Sequence, residues 1–115
     1  MAETNDRLTR RPMISAVIPM WNESSNVPKL LDALEDALRD LEHPWELVAV
    51  DDGSHDDTCQ TLMEHVERRP WLQGVVVCLS RNFGKEAALT AGLMASRGDV
   101  VIPLDADLQD PPALI

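Results

Sequence analysis

Four apolar, β-branched runs recur along the chain, at 14–18, 46–50, 75–79 and 99–104, each divided from the next by a segment with room for a helix. Runs this continuous, without polar alternation, suit strands buried on both faces, as in a parallel sheet covered by helices. The intervening segments carry helical signals. In the first, Val27, Leu30, Leu31, Leu34, Leu38 and Leu41 repeat at helical spacing, with Ser24, Ser25 or Asn26 available as cap and Pro28 tolerable in the first turn. The second opens at Ser54-His55-Asp56-Asp57, a Ser followed three residues later by an acid, which resembles a capping box. Its apolar stripe is Cys59, Leu62, Met63 and Val66, and it ends near Arg69-Pro70. The third, 85–97, is rich in Ala and Gly (Ala87, Ala88, Ala91, Gly92, Ala95), which predicts close packing on the sheet, and Gly98 stands where a helix stop is expected. The order βαβαβαβ predicts an α/β fold: a doubly wound, mainly parallel sheet with helices on both faces.

At 115 residues the chain has the size of one domain. Residues 1–12 are expected to form a flexible N-terminal tail and 13–115 the folded part. The formal net charge is −10 and the basic residues form no long stripe, which argues against nucleic acid as a partner. An acidic protein still binds an anionic nucleotide where a cation and backbone N–H groups neutralise the phosphates locally. Cys59 and Cys78 lack the C-x-x-C spacing of a metal or redox motif and are expected to be buried free thiols, in keeping with a reducing, cytoplasmic setting. The first eleven residues carry no apolar signal-peptide core, and no apolar stretch approaches the ~20 residues of a membrane-spanning helix.

In doubly wound sheets, ligands bind outside the carboxyl ends of the strands, at the point where the strand order switches. The residues following the four runs are Pro19-Met20-Trp21-Asn22-Glu23, Asp51-Asp52-Gly53-Ser54, Ser80-Arg81-Asn82-Phe83-Gly84-Lys85 and Asp105-Ala106-Asp107, so every polar cluster with chemical potential falls on one rim. Asp51-Asp52-Gly53-Ser54 reads either as a turn with a helix cap or as an acid accepting from a nucleobase or ribose. Asp105 and Asp107, at i and i+2 on an extended segment, can aim at one point. Two converging carboxylates hold a hard cation such as Mg²⁺ or Mn²⁺, which completes its shell with water and phosphate oxygens. The preceding buried strand, Gln109, Asp110 and the stiffening Pro111-Pro112 favour this over a solvated acid pair. Trp21 serves equally as a partly buried hydrophobe or as a stacking partner for a base, and Glu23 as a cap or a base or ribose acceptor. Arg81 and Lys85 are ordinary helix-start charges; in the functional reading Arg81-Asn82-x-Gly84, at the mouth of a switch point, offers a cation and exposed N–H groups to a diphosphate. His43, His55 and His65 lack ligand spacing.

Together, P-M-W-N-E at 19–23, D-D-G-S at 51–54, R-N-F-G-K at 81–85 and D-A-D-L-Q-D-P-P at 105–112 resemble, in order and spacing, the family 2 glycosyltransferases of GT-A fold. The resemblance is greatest to their polyprenyl-phosphate branch, the dolichol-phosphate mannose synthases and bacterial undecaprenyl-phosphate glycosyltransferases, and it covers 14–112. It implies a Rossmann-like nucleotide-binding half of a GT-A fold. Pro19, Trp21, Glu23, Asp51, Asp52, Arg81, Lys85, Asp105 and Ala106 would serve the nucleotide, with Asp105, Asp107 and Gln109 on Mg²⁺ or Mn²⁺ and Asp105 and Asp107 in the catalytic role. The donor implied is a UDP-sugar, in preference to a GDP-sugar, and the acceptor a polyprenyl phosphate. The reaction implied is a single in-line displacement with inversion at the anomeric carbon. Trp21 departs from the commoner Tyr, keeping the aromatic face and changing the polar tip.

The chain ends at Ile115, directly after the metal motif. The expectation is therefore the nucleotide-sugar-binding part of a longer enzyme, with little transferase activity of its own. That enzyme would meet the membrane through regions outside this chain, at the inner face of the cell membrane, and a homo-oligomer is compatible with it. Two other readings stay open. A receiver-type phosphoacceptor domain shares the size and the strand-end acids, but it places its acid pair after the first strand. A GT-A-like nucleotidyltransferase would carry a Gly-rich basic loop there.

Overall fold

The four apolar runs form one parallel sheet in the computed structural model, which describes residues 12–105. Strands β1 (Ile14–Met20), β2 (Trp45–Asp51), β3 (Gly74–Cys78) and β4 (Val100–Pro103) lie in the order β3-β2-β1-β4. Each neighbouring pair is parallel: β1 runs level with β2 from Ile14↔Trp45 to Met20↔Asp51, and with β4 from Ile14↔Val100 to Val17↔Pro103. Parallel pairing requires a crossover between strands, supplied by helices α1 (Val27–Arg39), α2 (Thr58–Glu67) and α3 (Lys85–Ala95). The chain moves outward from β1 to β3 and then returns to the other side of β1, so the switch point lies between β1 and β4. This order is that of a Rossmann sheet. In a receiver β1 would stand between β2 and β3.

Both faces of the central strands are covered, which is why their sequences do not alternate. Ala16, Ile18, Met20, Leu47 and Ala49 face Val27, Leu30, Leu31, Leu34 and Leu38 of α1 and Leu62 of α2. Val17, Val48 and Val50 face Ala88 of α3 on the other side. All of these side chains are at most 2% exposed, and each contributes roughly 1.5–3 kcal/mol when a large aliphatic is buried. The small-residue helix α3 lies against the sheet as expected: a Cβ on Gly92 would stand 2.4 Å from Val17 Cγ1.

Three local expectations change. The capping box at Ser54 does not form. The segment after Gly53 is held by Asn22, whose Oδ1 accepts the His55 N–H at 2.8 Å, and α2 starts only at Thr58. Gly98 is not the stop of α3: the helix ends at Ala95, Ser96 is extended, and the Arg97 N–H is drawn to the buried Glu46 carboxylate at 2.6 Å. The cysteines are not free thiols. The start of α2 lies over the end of β3, bringing the Cα atoms of Cys59 and Cys78 to 6.0 Å, and their sulfurs form a disulfide. The inference of a reducing compartment from cysteine usage loses its basis with them. The expected tail, 1–12, falls outside the described residues except for Pro12. Among the described residues, no helix is long and apolar enough to cross a membrane.

Candidate functional site

Three loops leave the carboxyl ends of β1, β2 and β3 and are fastened to one another. Asn22, at φ 53°, donates its N–H to Ser54 Oγ at 2.8 Å, and the Glu23 N–H reaches Thr58 Oγ1 at 2.9 Å. Ser24 donates its hydroxyl to Asp56 at 3.0 Å. The Asp56 carboxyl is held below its ordinary range, chiefly by the Thr58 hydroxyl, which outweighs burial with help from the Thr58 N–H and Ser24. The loop after β2 rests on the loop after β3 without space for a side chain. Gly53, at φ 64°, has the Arg81 carbonyl carbon 2.0 Å from where a Cβ would sit.

Asp52 completes the join. It is 4% exposed, and its Oδ1 accepts the Phe83 N–H at 2.9 Å. Its Oδ2 accepts the Gly84 N–H at 3.1 Å and the Asn82 amide at 3.3 Å. One carboxylate thus fixes the turn that launches α3 and sets Lys85 at the first helical position. Lys85 Nζ lies 2.8 Å from Asp105 Oδ1, across the switch point.

These loops enclose a cavity of about 450 Å³, lined by Pro19, Met20, Trp21, Glu23, Asp52, Asn82, Gly84, Lys85 and Asp105. Six residues singled out from the sequence therefore share one space: Pro19, Trp21, Glu23, Asp52, Lys85 and Asp105. Trp21 is 47% exposed, its ring edge-on to His55 at 6.2 Å, which leaves an aromatic face for a planar ligand. The Glu23 carboxylate accepts from the Asn26 amide at 2.6 Å.

Two other sequence candidates lie apart from the cavity lining. Asp51 is 3% exposed and accepts from the Ser54 hydroxyl, so it builds the turn from behind. The Arg81 guanidinium lies over the Phe83 ring, 4.8 Å from its centroid. Ala106, Asp107 and Gln109 lie outside the described residues. Asn82 and Gly84, expected to offer N–H groups beside Arg81, also line the cavity, as does Met20, which was not singled out.

The donor chemistry at Asp105 fits a hard divalent cation. Its carboxylate already seats a positive charge, the Lys85 ammonium, whereas both oxygens of Asp52 are taken by backbone and amide donors. Among the described residues, a second group of metal-type donors is Asp51, Cys59 and Cys78, with ligand atoms within 4.8 Å of one another. Its sulfurs are bonded to each other and offer no thiolate.

A parallel sheet of Rossmann order with a cavity at its switch point, lined in part by Glu23, Asp52 and Asp105, defines a doubly wound α/β protein. Residues 15–115 match the family described as Glycosyl transferase family 2, and the chain belongs to that family. It is 50% identical over 99 residues to an undecaprenyl-phosphate 4-deoxy-4-formamido-L-arabinose transferase of Pseudomonas fluorescens, a match covering 86% of this chain and 29% of the relative. An uncharacterized glycosyltransferase of Synechocystis is 46% identical over 89% of the chain and 31% of its own length. The chain thus spans under a third of the curated relatives it matches. Among solved structures, the mannosyltransferase PcManGT of Pyrobaculum calidifontis, in complex with GDP-Man and Mn²⁺, superposes with a TM-score of 0.74 at 29% identity, covering 86% of this chain and 28% of that one. TarS of S. aureus in complex with UDP gives a TM-score of 0.64 at 27% identity, covering 83% and 27%.

Proposed function

We propose that this chain is the nucleotide-sugar-binding part of an inverting glycosyltransferase that moves a sugar from a nucleoside diphosphate sugar, by preference a UDP-sugar, to a polyprenyl phosphate. The observation that carries the reading is the convergence of Pro19, Trp21, Glu23, Asp52, Lys85 and Asp105 on one cavity at the switch point of the sheet. The undecaprenyl-phosphate transferase activity for which the Pseudomonas relative is named supports the lipid phosphate acceptor, and the bound GDP-Man and UDP of the structural neighbours support the donor class. That acceptor is a membrane lipid, so the longer enzyme works at a membrane surface.

In this reading Pro19 and Trp21 form the wall against the base, and Glu23 accepts from base or ribose. Asp52 keeps the 82–84 turn in place, with Asp51 shaping the loop behind it, and Lys85 and Arg81 bring positive charge to the diphosphate. Asp105, with Asp107 and Gln109 beyond the described residues, would hold Mg²⁺ or Mn²⁺, which when bound supplies charge neutralisation at the departing diphosphate. The anomeric carbon exchanges its bond to the diphosphate oxygen for one to the acceptor phosphate oxygen on the opposite face. A phosphate monoester with a second pKa near ~6 is already mostly ionised at neutral pH, so little general-base assistance is needed. Positioning and charge neutralisation by the rim residues account for the catalysis.

Calorimetric titration of the chain with UDP, GDP and CMP, with and without Mn²⁺ and repeated on Asp107→Ala, tests this. Expected is Mn²⁺-dependent binding, tightest for UDP, that the variant loses. Binding that ignores the metal and survives the substitution would overturn the metal assignment, and failure of all three nucleotides would overturn the donor reading.

A further inference from the structure

We propose that Cys59 and Cys78 form a reversible thiol–disulfide exchange site that sets how firmly the cavity-forming loops are held. Its link to nucleotide affinity rests on the donor reading above; its link to loop order does not.

The placement of the pair carries the inference. Cys59 follows Thr58, whose hydroxyl receives the Glu23 N–H. Cys78 ends β3 in register with Asp51, and the next residue, Leu79, donates its N–H to the Asp51 carbonyl at 2.9 Å. The disulfide therefore joins the first turn of α2, just past the loop after β2, to the last residue of β3, just before the loop that follows it. Those two loops are joined a second time by the Asp52 carboxylate on Phe83 and Gly84. One fastening is covalent and the other consists of hydrogen bonds alone. Opening the first leaves hydrogen bonds and packing alone to hold the cavity wall.

Chemistry at the site allows the opening. Cys78 is an exposed residue on the outer strand β3, within reach of a small dithiol. The thiolate of such a dithiol attacks the Cys78 sulfur and the S–S bond breaks. Cys59 leaves as thiolate and takes a proton. The second thiol of the reductant then displaces Cys78 from the mixed disulfide, so the products are two protein thiols and one oxidised cyclic dithiol, with two electrons transferred. Closing the pair again takes an external oxidant that accepts the two electrons.

The test compares the native chain kept oxidised with the chain treated with dithiothreitol, and with the Cys59→Ser/Cys78→Ser double variant. Thiol alkylation read by mass reports opening, amide hydrogen exchange reports loop order, and Mn²⁺-dependent UDP titration reports the site. Expected on reduction are two alkylated cysteines in folded protein, exchange at Leu79, Phe83 and Gly84 faster by ~10-fold or more, and UDP affinity weaker by roughly 3- to 10-fold, reversed on reoxidation. The double variant should match the reduced chain and ignore dithiothreitol. Should it fail to fold, the reduced and reoxidised native chain still decides the matter. A disulfide that dithiothreitol opens only on unfolding, or one that opens with no change in exchange at those amides, overturns the proposal. If the amides respond while neither redox form binds nucleotide, the exchange site stands and the donor reading fails.

Discussion

The Asp52 carboxylate accepts the backbone N–H of Phe83 at 2.9 Å, so the acid that follows β2 holds the turn that precedes α3. Asp52→Asn keeps the shape but puts an amide N–H₂ where an oxygen now accepts. One of the Phe83, Gly84 and Asn82 donors then faces another donor in a nearly buried position. The expected cost is about 1–3 kcal/mol in urea unfolding, with UDP affinity falling by at least ~10-fold. A variant that loses affinity at unchanged stability would instead mark Asp52 as a direct contact to the ligand.

Lys85 and Asp105 form an ion pair at 2.8 Å on the cavity wall, so under the proposed function a divalent cation at Asp105 would compete with the ammonium for the carboxylate. Lys85→Met removes the competitor and also removes a charge offered to the diphosphate. Two opposite shifts follow: Mn²⁺ alone binds more tightly, by roughly 3-fold or more, while UDP in saturating Mn²⁺ binds more weakly. Manganese titration followed by electron paramagnetic resonance separates the two. Weaker Mn²⁺ binding in the variant would rule out competition at Asp105.

The sheet was legible because its central strands carry unbroken apolar runs, a pattern that only burial on both faces explains. The rim was legible because polar clusters stand directly after those runs. What stayed hidden depended on contacts distant in sequence. Nothing local to Ser54 says that Asn22 will hold the segment after Gly53 and delay α2, and nothing local to Gly98 says that a carboxylate on β2 will pull Arg97 out of α3. The disulfide escaped for the same reason: 19 residues separate its cysteines, and only the packing of α2 over β3 brings them together. Within R-N-F-G-K the fold lines the cavity with Asn82, Gly84 and Lys85, while the Arg81 guanidinium lies over the Phe83 ring, a placement that no local pattern foretells.

Gly53 is where the loops after β2 and β3 touch. Its φ of 64° is strained for an L residue, and a Cβ there would meet Arg81 and Asn82 backbone atoms at 2.0 and 2.3 Å. Backbone cannot move aside as a flexible side chain does, so Gly53→Ala must separate the loops. The expectation is a loss above ~3 kcal/mol, or a melting temperature lower by more than ~10 °C, with nucleotide binding lost alongside. A thermal scan showing a fall of only a degree or two would mean that the loops part at little cost and that their contact at Gly53 does not hold the cavity in shape.

At the opposite end of the sheet, Glu46 gives a pH signature. It is fully buried, accepting from the Ser15 hydroxyl at 2.7 Å and the Arg97 N–H at 2.6 Å, with the Arg97 guanidinium 3.7 Å from its other oxygen. Burial, the largest single influence, pushes its carboxyl up, but the Arg97 N–H, the Ser15 hydroxyl, the Arg97 charge and the Gly98 N–H together hold it below its ordinary value of 4.5. The unfolded chain therefore binds this proton more readily than the folded one. The stabilisation from Glu46 is fully present above pH 4.5 and is lost as the pH falls through the lower folded value. Glu46→Gln leaves a donor facing donors and is expected to cost about 1–3 kcal/mol at neutral pH. The variant's stability should also decline less steeply than the native chain's in acid, because the remaining slope comes from groups such as Asp56, whose depressed carboxyl works in the same direction. Urea unfolding of both proteins from about pH 7 down to about pH 3 measures the difference, and parallel curves would assign the acid sensitivity to carboxylates other than Glu46.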